Sequence, residues 1–130
     1  MPLEGRFVFH DSEVRRVAAD AGAGTLEIHF AAAHVHEAGT GGEEEGYLSG
    51  VTLALAGARW TGPVAVCIGR IASGAAFVDG THRVTLPLGA DLSGALRVEL
   101  QFANGSQLHA DAGHLVLHAE GAKHTGDFAC

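Results

Sequence analysis

The chain has 130 residues, of which 47% are hydrophobic and 18% charged, with a formal net charge of −7. A chain of this length buries about two-thirds of its unfolded surface in one core, so a single domain over residues 1–130 is expected without disulfide or metal staples. The apolar content excludes a disordered chain, and the acidic balance, with Arg15-Arg16 as the largest basic cluster, excludes a surface that tracks nucleic-acid phosphates.

The opening MPLEGRFVFHD has no basic segment leading into an apolar core, and no apolar run reaches the ~18 residues of a membrane span, so a cytoplasmic location is expected. Residues 6–10 alternate Phe7 and Phe9 against Val8 and His10, a strand that ends at Asp11-Ser12. The next residues carry two patterns. Val14, Val17, Ala18 and Ala21 fit one face of a helix capped by Ser12, and Val14 and Val17 also fit a bulged strand hairpinned to Thr25; the strand is preferred because β-patterned sequence follows. Leu26, Ile28 and Phe30 then face one way, and past Ala31-Ala32-Ala33 the parity inverts, which requires a bulge or bend within the alanines.

Residues 37–46, EAGTGGEEEG, hold no apolar side chain larger than alanine and read as a mobile surface loop. Val51, Leu53 and Leu55 mark a strand whose other face carries Ala54 and Ala56, a sign of cover on both sides by the domain or by a second subunit. Residues 59–63 read as a turn with Trp60 over one end of the fold, and the apolar run 64–68 as a buried strand containing Cys67. Cys67 and Cys130 have neither ligand nor redox spacing, and both are expected as reduced thiols, Cys67 buried and Cys130 exposed. Asp79-Gly80 signals a two-residue hairpin loop pairing Phe77 with His82 and Ala75 with Val84, which sets Phe77, Val84 and Leu86 on one face.

Residues 92–112 are the most specific stretch. Leu96, Val98, Leu100 and Phe102 alternate with Arg97, Glu99 and Gln101, and Leu108, Ala110 and Ala112 with Gln107, His109 and Asp111. A two-residue Asn104-Gly105 loop would set every apolar residue opposite a polar one. A type I turn over Phe102-Ala103-Asn104-Gly105, with Gly105 left-handed as a bulge, instead sets Leu100 opposite Leu108, Val98 opposite Ala110, Arg97 opposite Asp111 and Glu99 opposite His109. Gly113 then resets the parity for Leu115 and Leu117. Together these segments predict an all-β domain, an antiparallel β-sandwich or barrel of about nine or ten short strands with at most one short helix.

Nine histidines invite a search for a site. His34-Val35-His36 is the sharpest candidate, because residues i and i+2 of a strand present two imidazoles on one face, where they can share a divalent metal. The pair is similar to the first metal motif of the cupins, in which His-x-His is followed four or five residues later by a glutamate. Those places here hold Thr40 and Gly41. Pro87-Leu88-Gly89 likewise resembles the Pro-x-Gly of the second cupin motif, but Ala90-Asp91-Leu92 follows without its histidine. The third ligand would have to come from Glu37, which points the other way, from Glu43–Glu45, whose loop costs roughly 1–2 kcal/mol per residue to order, or from a distant strand whose position the sequence does not fix; micromolar binding at most is expected.

Elsewhere His114 and His118 lie roughly 13 Å apart along a strand, too far to share an ion. His10-Asp11 is sequential, so its side chains should diverge, and no nucleophile elbow or phosphate loop is present. With no complete catalytic set, the leading expectation is a non-enzymatic interaction, inhibitor-type or oligomeric structural module, without a cofactor and with a second copy or another protein as partner. The alternative is a cupin-like or lipocalin-like barrel that binds a small ligand or divalent metal near His34 and His36.

Overall fold

The computed structural model describes residues 5–39, 42–119 and 121–124. Its elements in chain order are strands β1 (Gly5–Asp20), β2 (Thr25–Gly39), β3 (Gly42–Ser49), β4 (Thr52–Ala56) and β5 (Arg59–Thr61), a 3₁₀ turn (Val64–Val66), then β6 (Gly69–Val78), β7 (Thr81–Arg83), β8 (Thr85–Pro87), β9 (Asp91–Phe102), β10 (Gln107–His118) and the two-residue β11 (Lys123–His124). Following the antiparallel pairings β1–β2–β4–β10–β9–β6 and back to β1 closes a ring, so the architecture is a six-stranded barrel. The other strands extend it at the rims: β8 on the first part of β1, β3 and then β11 on the last part of β2, β5 on β10 and β7 on β6. Closure leaves the central strands no free edge.

The barrel is filled by the inward residues of that alternation. Phe7 and Phe9 from β1, Leu26, Ile28 and Val35 from β2, Leu53 and Leu55 from β4, Ile71 from β6, Leu100 and Phe102 from β9, and Leu108 and Leu115 from β10 are fully buried. Phe7 packs edge-on against Phe9 with ring centroids 5.0 Å apart and touches Phe30 at the same spacing. Gly74 lets β6 cross this aromatic layer closely: a β-carbon there would stand 2.9 Å from both Leu100 Cδ2 and Phe9 Cβ.

The β9–β10 hairpin has the register its parity predicts, Leu100 opposite Leu108, Glu99 opposite His109 and Arg97 opposite Asp111, with Gly105 at φ 92°. Gly105 N–H donates to Phe102 O at 2.9 Å, closing the four-residue turn. The register then shifts between Ala112 and His114, as the parity change at Gly113 requires. Residues 12–20 belong to β1, settling the helix-or-strand question for the strand, and β1 and β2 shift register between Glu13↔Ala32 and Val14↔Phe30, within the alanine bend.

Four expectations are corrected. Residues 37–46 are not a free loop: β2 continues to Gly39 and β3 begins at Gly42, with Glu37 opposite Glu44 and His36 opposite Glu45. Backbone pairing to a strand already fixed in the barrel outweighs the poor β-propensity of Gly and Glu. The run 64–68 is a 3₁₀ turn with Val66 49% and Ile68 44% exposed, and only Cys67 enters the core. Its carbonyls are tied to the tip of the β9–β10 hairpin, where Asn104 Nδ2 and Ser106 Oγ donate to Val66 O at 2.9 and 3.2 Å. Trp60 lies in β5 opposite Ala110 and packs against the core, so the predicted turn contains a strand.

The fourth correction concerns the Asp79-Gly80 hairpin. Both loop residues have positive φ and Phe77 pairs with His82, as predicted. The ladder, however, stops at Ala76↔Arg83: Val84 is 53% exposed, and Leu86 leaves for β8 and pairs with Phe7 of β1. Phe77 is half-buried outside the barrel and Ala76 takes the inward place. Of the alanines on the outer side of β4, Ala54 is half-buried and Ala56 exposed, so the domain covers only the first. Cys67 is a fully buried free thiol, pushed up from its usual pKa by burial, and Cys130 lies outside the described residues.

Gly105→Ala should cost about 1 kcal/mol or more, because space around the missing β-carbon is open and the positive φ alone carries the penalty. Gly113→Ala, equally unobstructed but without positive φ, should stay within about 0.5 kcal/mol of the parent in the same urea titration.

Candidate metal centre

The site begins with a break in β1. Pairing with β2 is regular from Gly5 to Val8 and resumes at Glu13; between them Asp11 has φ 70°, a left-handed conformation that a residue with a β-carbon seldom adopts. Backbone groups along the break lose their ladder partners, and the buried hydroxyl of Ser12 replaces them. Ser12 Oγ donates to Val8 O at 2.7 Å and accepts from His34 N–H at 2.8 Å. One fully buried side chain therefore closes β1 on itself and ties it to β2 at His34.

The same break fixes the His34 ring. Its Nδ1 lies 2.8 Å from His10 O, and because a carbonyl only accepts, Nδ1 carries a hydrogen. The Nε2 edge then faces Glu45, with Oε1 at 2.6 Å. The Tyr47 ring stacks on the His34 ring, with centroids 5.3 Å apart at 24°. His36, two residues along β2, meets His34 edge-on at 5.2 Å and stands opposite Glu45 in the β2–β3 register. His34 is buried, at 6% exposed, while the Glu45 side chain is 60% exposed.

His34, His36 and Glu45 thus offer two imidazoles and a carboxylate, with ligand atoms all within 4.8 Å of one another, and they form the single such group among the described residues. Ligand atoms ~2.1 Å from a tetrahedral ion stand about 3.4 Å apart; those here lie within 4.8 Å of one another, with Nε2 and Oε1 at 2.6 Å, so shifts of about 1 Å would seat a metal. A carbonyl holding Nδ1–H is also the partner that orients metal-binding imidazoles and leaves Nε2 as the donor atom.

Glu45 is the third candidate ligand. It comes from neither the cupin position, where Thr40 and Gly41 offer no carboxylate, nor a loop that binding would have to order. It is supplied by β3, whose pairing with β2 is part of the fold.

Tyr47 leads from this group to a cleft of about 290 Å³ lined by Asp11, Glu13, Ala32, Tyr47 and Arg70. Arg70 Nη1 donates to Asp11 Oδ1 at 3.0 Å, and the left-handed turn at Asp11 brings its Oδ2 within 3.4 Å of His10 Nδ1, so these neighbours do not diverge as an ideal strand would make them. Burial, then the negative charges of Asp11 and Glu45, push the Tyr47 hydroxyl above its usual pKa and keep it a neutral hydrogen-bond donor.

The remaining described histidine side chains are dispersed. His29 bridges Glu27 Oε1 at 3.2 Å and Thr52 Oγ1 at 3.3 Å, His114 meets Asp91 at 2.5 Å, His82 lies against Phe77, and His109 and His118 stand opposite Glu99 and Thr52. Two larger clefts, about 330 and 420 Å³, flank Phe77 on the outer face of β6 and β9 and share no residue with the His34 group. Comparison with known protein families, curated proteins and solved structures gives no match.

Ser12→Ala should lower stability by about 1–3 kcal/mol, because it strands the Val8 carbonyl and the His34 N–H in a dry place. The same denaturation experiment on Ser49→Ala, whose Oγ makes one exposed 3.3 Å contact, should show at most a few tenths.

Proposed function

We propose that this barrel binds a divalent transition metal through His34, His36 and Glu45. The observation that carries the reading is the His34 ring: nearly buried, with Nδ1–H committed to the His10 carbonyl and Nε2 turned to a carboxylate and a second imidazole. The carbonyl on Nδ1–H leaves Nε2 as the ligating atom, and a metal there would displace the proton that Nε2 and Glu45 Oε1 share at 2.6 Å, with the carboxylate and His36 as its further ligands. Two nitrogens and one oxygen suit zinc and other first-row divalent ions, and three protein ligands leave at least one coordination position for water or a bound molecule.

This reading takes the place of the interaction-module expectation, which rested on the lack of a complete catalytic set, on outer-face alanines and on an acidic segment read as a loop. It also raises the expected affinity, since the cost of ordering residues 42–46 is met when β3 pairs with β2 rather than when metal binds. The proposal is one of metal binding.

Calorimetric titration of zinc into metal-free protein should give one site per chain with a dissociation constant below about 1 μM. His34→Ala should abolish it, and Glu45→Gln should weaken it at least tenfold, while His29→Ala and His114→Ala leave it unchanged. Equal zinc affinity in His34→Ala and the parent would refute the assignment.

A further inference from the structure

The cleft beside Tyr47 carries fixed charges of both signs at one end of a small cavity. Its floor is Ala32, which is 1% exposed, and its walls are Asp11 and Glu13 from β1, Tyr47 from β3 and Arg70 from β6. Glu13 and Arg70 are cross-strand partners, so the two side chains start from adjacent backbone positions.

The existing contacts leave binding capacity on both sides. A guanidinium has five N–H donors in a planar fork; Asp11 engages Nη1, and donors remain for a carboxylate. The Glu13 carboxylate makes no hydrogen bond among the described residues, and with Asp11 it gives the opposite wall an acceptor pair for an ammonium group. Asp11 holds a left-handed backbone conformation to stand where it does, the kind of local strain that accumulates at ligand sites.

We infer that this cleft binds a small zwitterion with an ammonium and a carboxylate on one carbon, a free α-amino acid, its carboxylate on Arg70 and its ammonium between Asp11 and Glu13. A net negative lining alone would favour any amine. The guanidinium in the same small space selects against a plain amine, and the two carboxylates select against a plain carboxylic acid. A volume of about 290 Å³ admits an α-amino acid with room left for its side chain. Because Tyr47 is both a wall of the cleft and the ring stacked on His34, the bound molecule adjoins the metal ligands. In that last respect the inference rests on the metal reading above; the cleft's own selectivity does not.

The test uses L-alanine, with propylamine and propionate as its two halves, titrated into metal-free and zinc-loaded full-length protein and followed by amide chemical shifts. L-alanine should perturb Glu13, Ala32, Tyr47 and Arg70 in both samples and bind at least tenfold more tightly than either half. Arg70→Gln and Glu13→Gln should each weaken L-alanine at least tenfold and leave zinc affinity and the melting temperature unchanged. Absence of shifts at these residues, or propylamine binding as tightly as L-alanine, would overturn the inference. Alanine binding in a protein that fails to take up zinc would support the cleft and count against the metal reading alone.

Discussion

The hydroxyl of Ser12 is the small group on which the rest of the structure turns. A closed six-stranded barrel needs β1 to pair with β2 throughout while its other edge passes from β8 to β6, and an unbroken flat strand does not make that turn. The break at residues 9–12 supplies the bend, but a break inside a barrel leaves backbone groups without ladder partners, and each orphaned buried group costs about 1–3 kcal/mol. Ser12 satisfies one group on each strand, Val8 O and His34 N–H. Serine is small enough to be fully enclosed and carries both a donor and an acceptor on one atom.

The consequences of that repair run directly to the site. Anchoring His34 N–H fixes the β2 backbone where the bend in β1 exposes the His10 carbonyl, and that carbonyl takes the ring's Nδ1–H. The other ring edge is then presented to β3, whose register with β2 sets Glu45 opposite His36 and Tyr47 opposite His34. Burial, tautomer and neighbours of the imidazole all follow from one interruption in one strand. The surface ion pairs matter far less: Arg97 with Asp111 and Glu99, and Arg70 with Asp11, join exposed side chains, and such pairs contribute about 0–1 kcal/mol.

Where one face of a strand is buried and the other wet, the sequence is readable, since a register slip would turn every side chain of β9 or β10 to the wrong side. That is why the Leu100–Leu108 pairing, the Gly105 bulge, the reset at Gly113 and the bend in Ala31–Ala33 could be inferred from parity and turn chemistry. It fails where the pattern carries no period. The run 64–68 is apolar throughout, which does not distinguish a strand from a turn lying across the barrel end. Residues 37–46 carry a pattern of weak strand formers, and their pairing is imposed by a neighbour distant in sequence. Reading that segment as a loop left Glu45 one of several candidate third ligands, with an ordering cost attached: the spacing of His34 and His36 was visible along one strand, whereas Glu45 joins them only across a ladder. The choice between sandwich and barrel was illegible for a related reason, since closure depends on the few pairings of Glu13 and Val14 with β6, which leave no trace in alternation.

The central claim is that the break in β1 prepares His34 as a metal ligand with His36 and Glu45 beside it. The most direct measurement is anomalous diffraction at the zinc edge from crystals of the zinc-loaded protein. The account predicts one strong peak ~2.0–2.2 Å from His34 Nε2, a nitrogen of His36 and a carboxylate oxygen of Glu45, with His34 Nδ1 still on the His10 carbonyl. A peak at His29, His114 or another of the dispersed histidines, with none between β2 and β3, would contradict it.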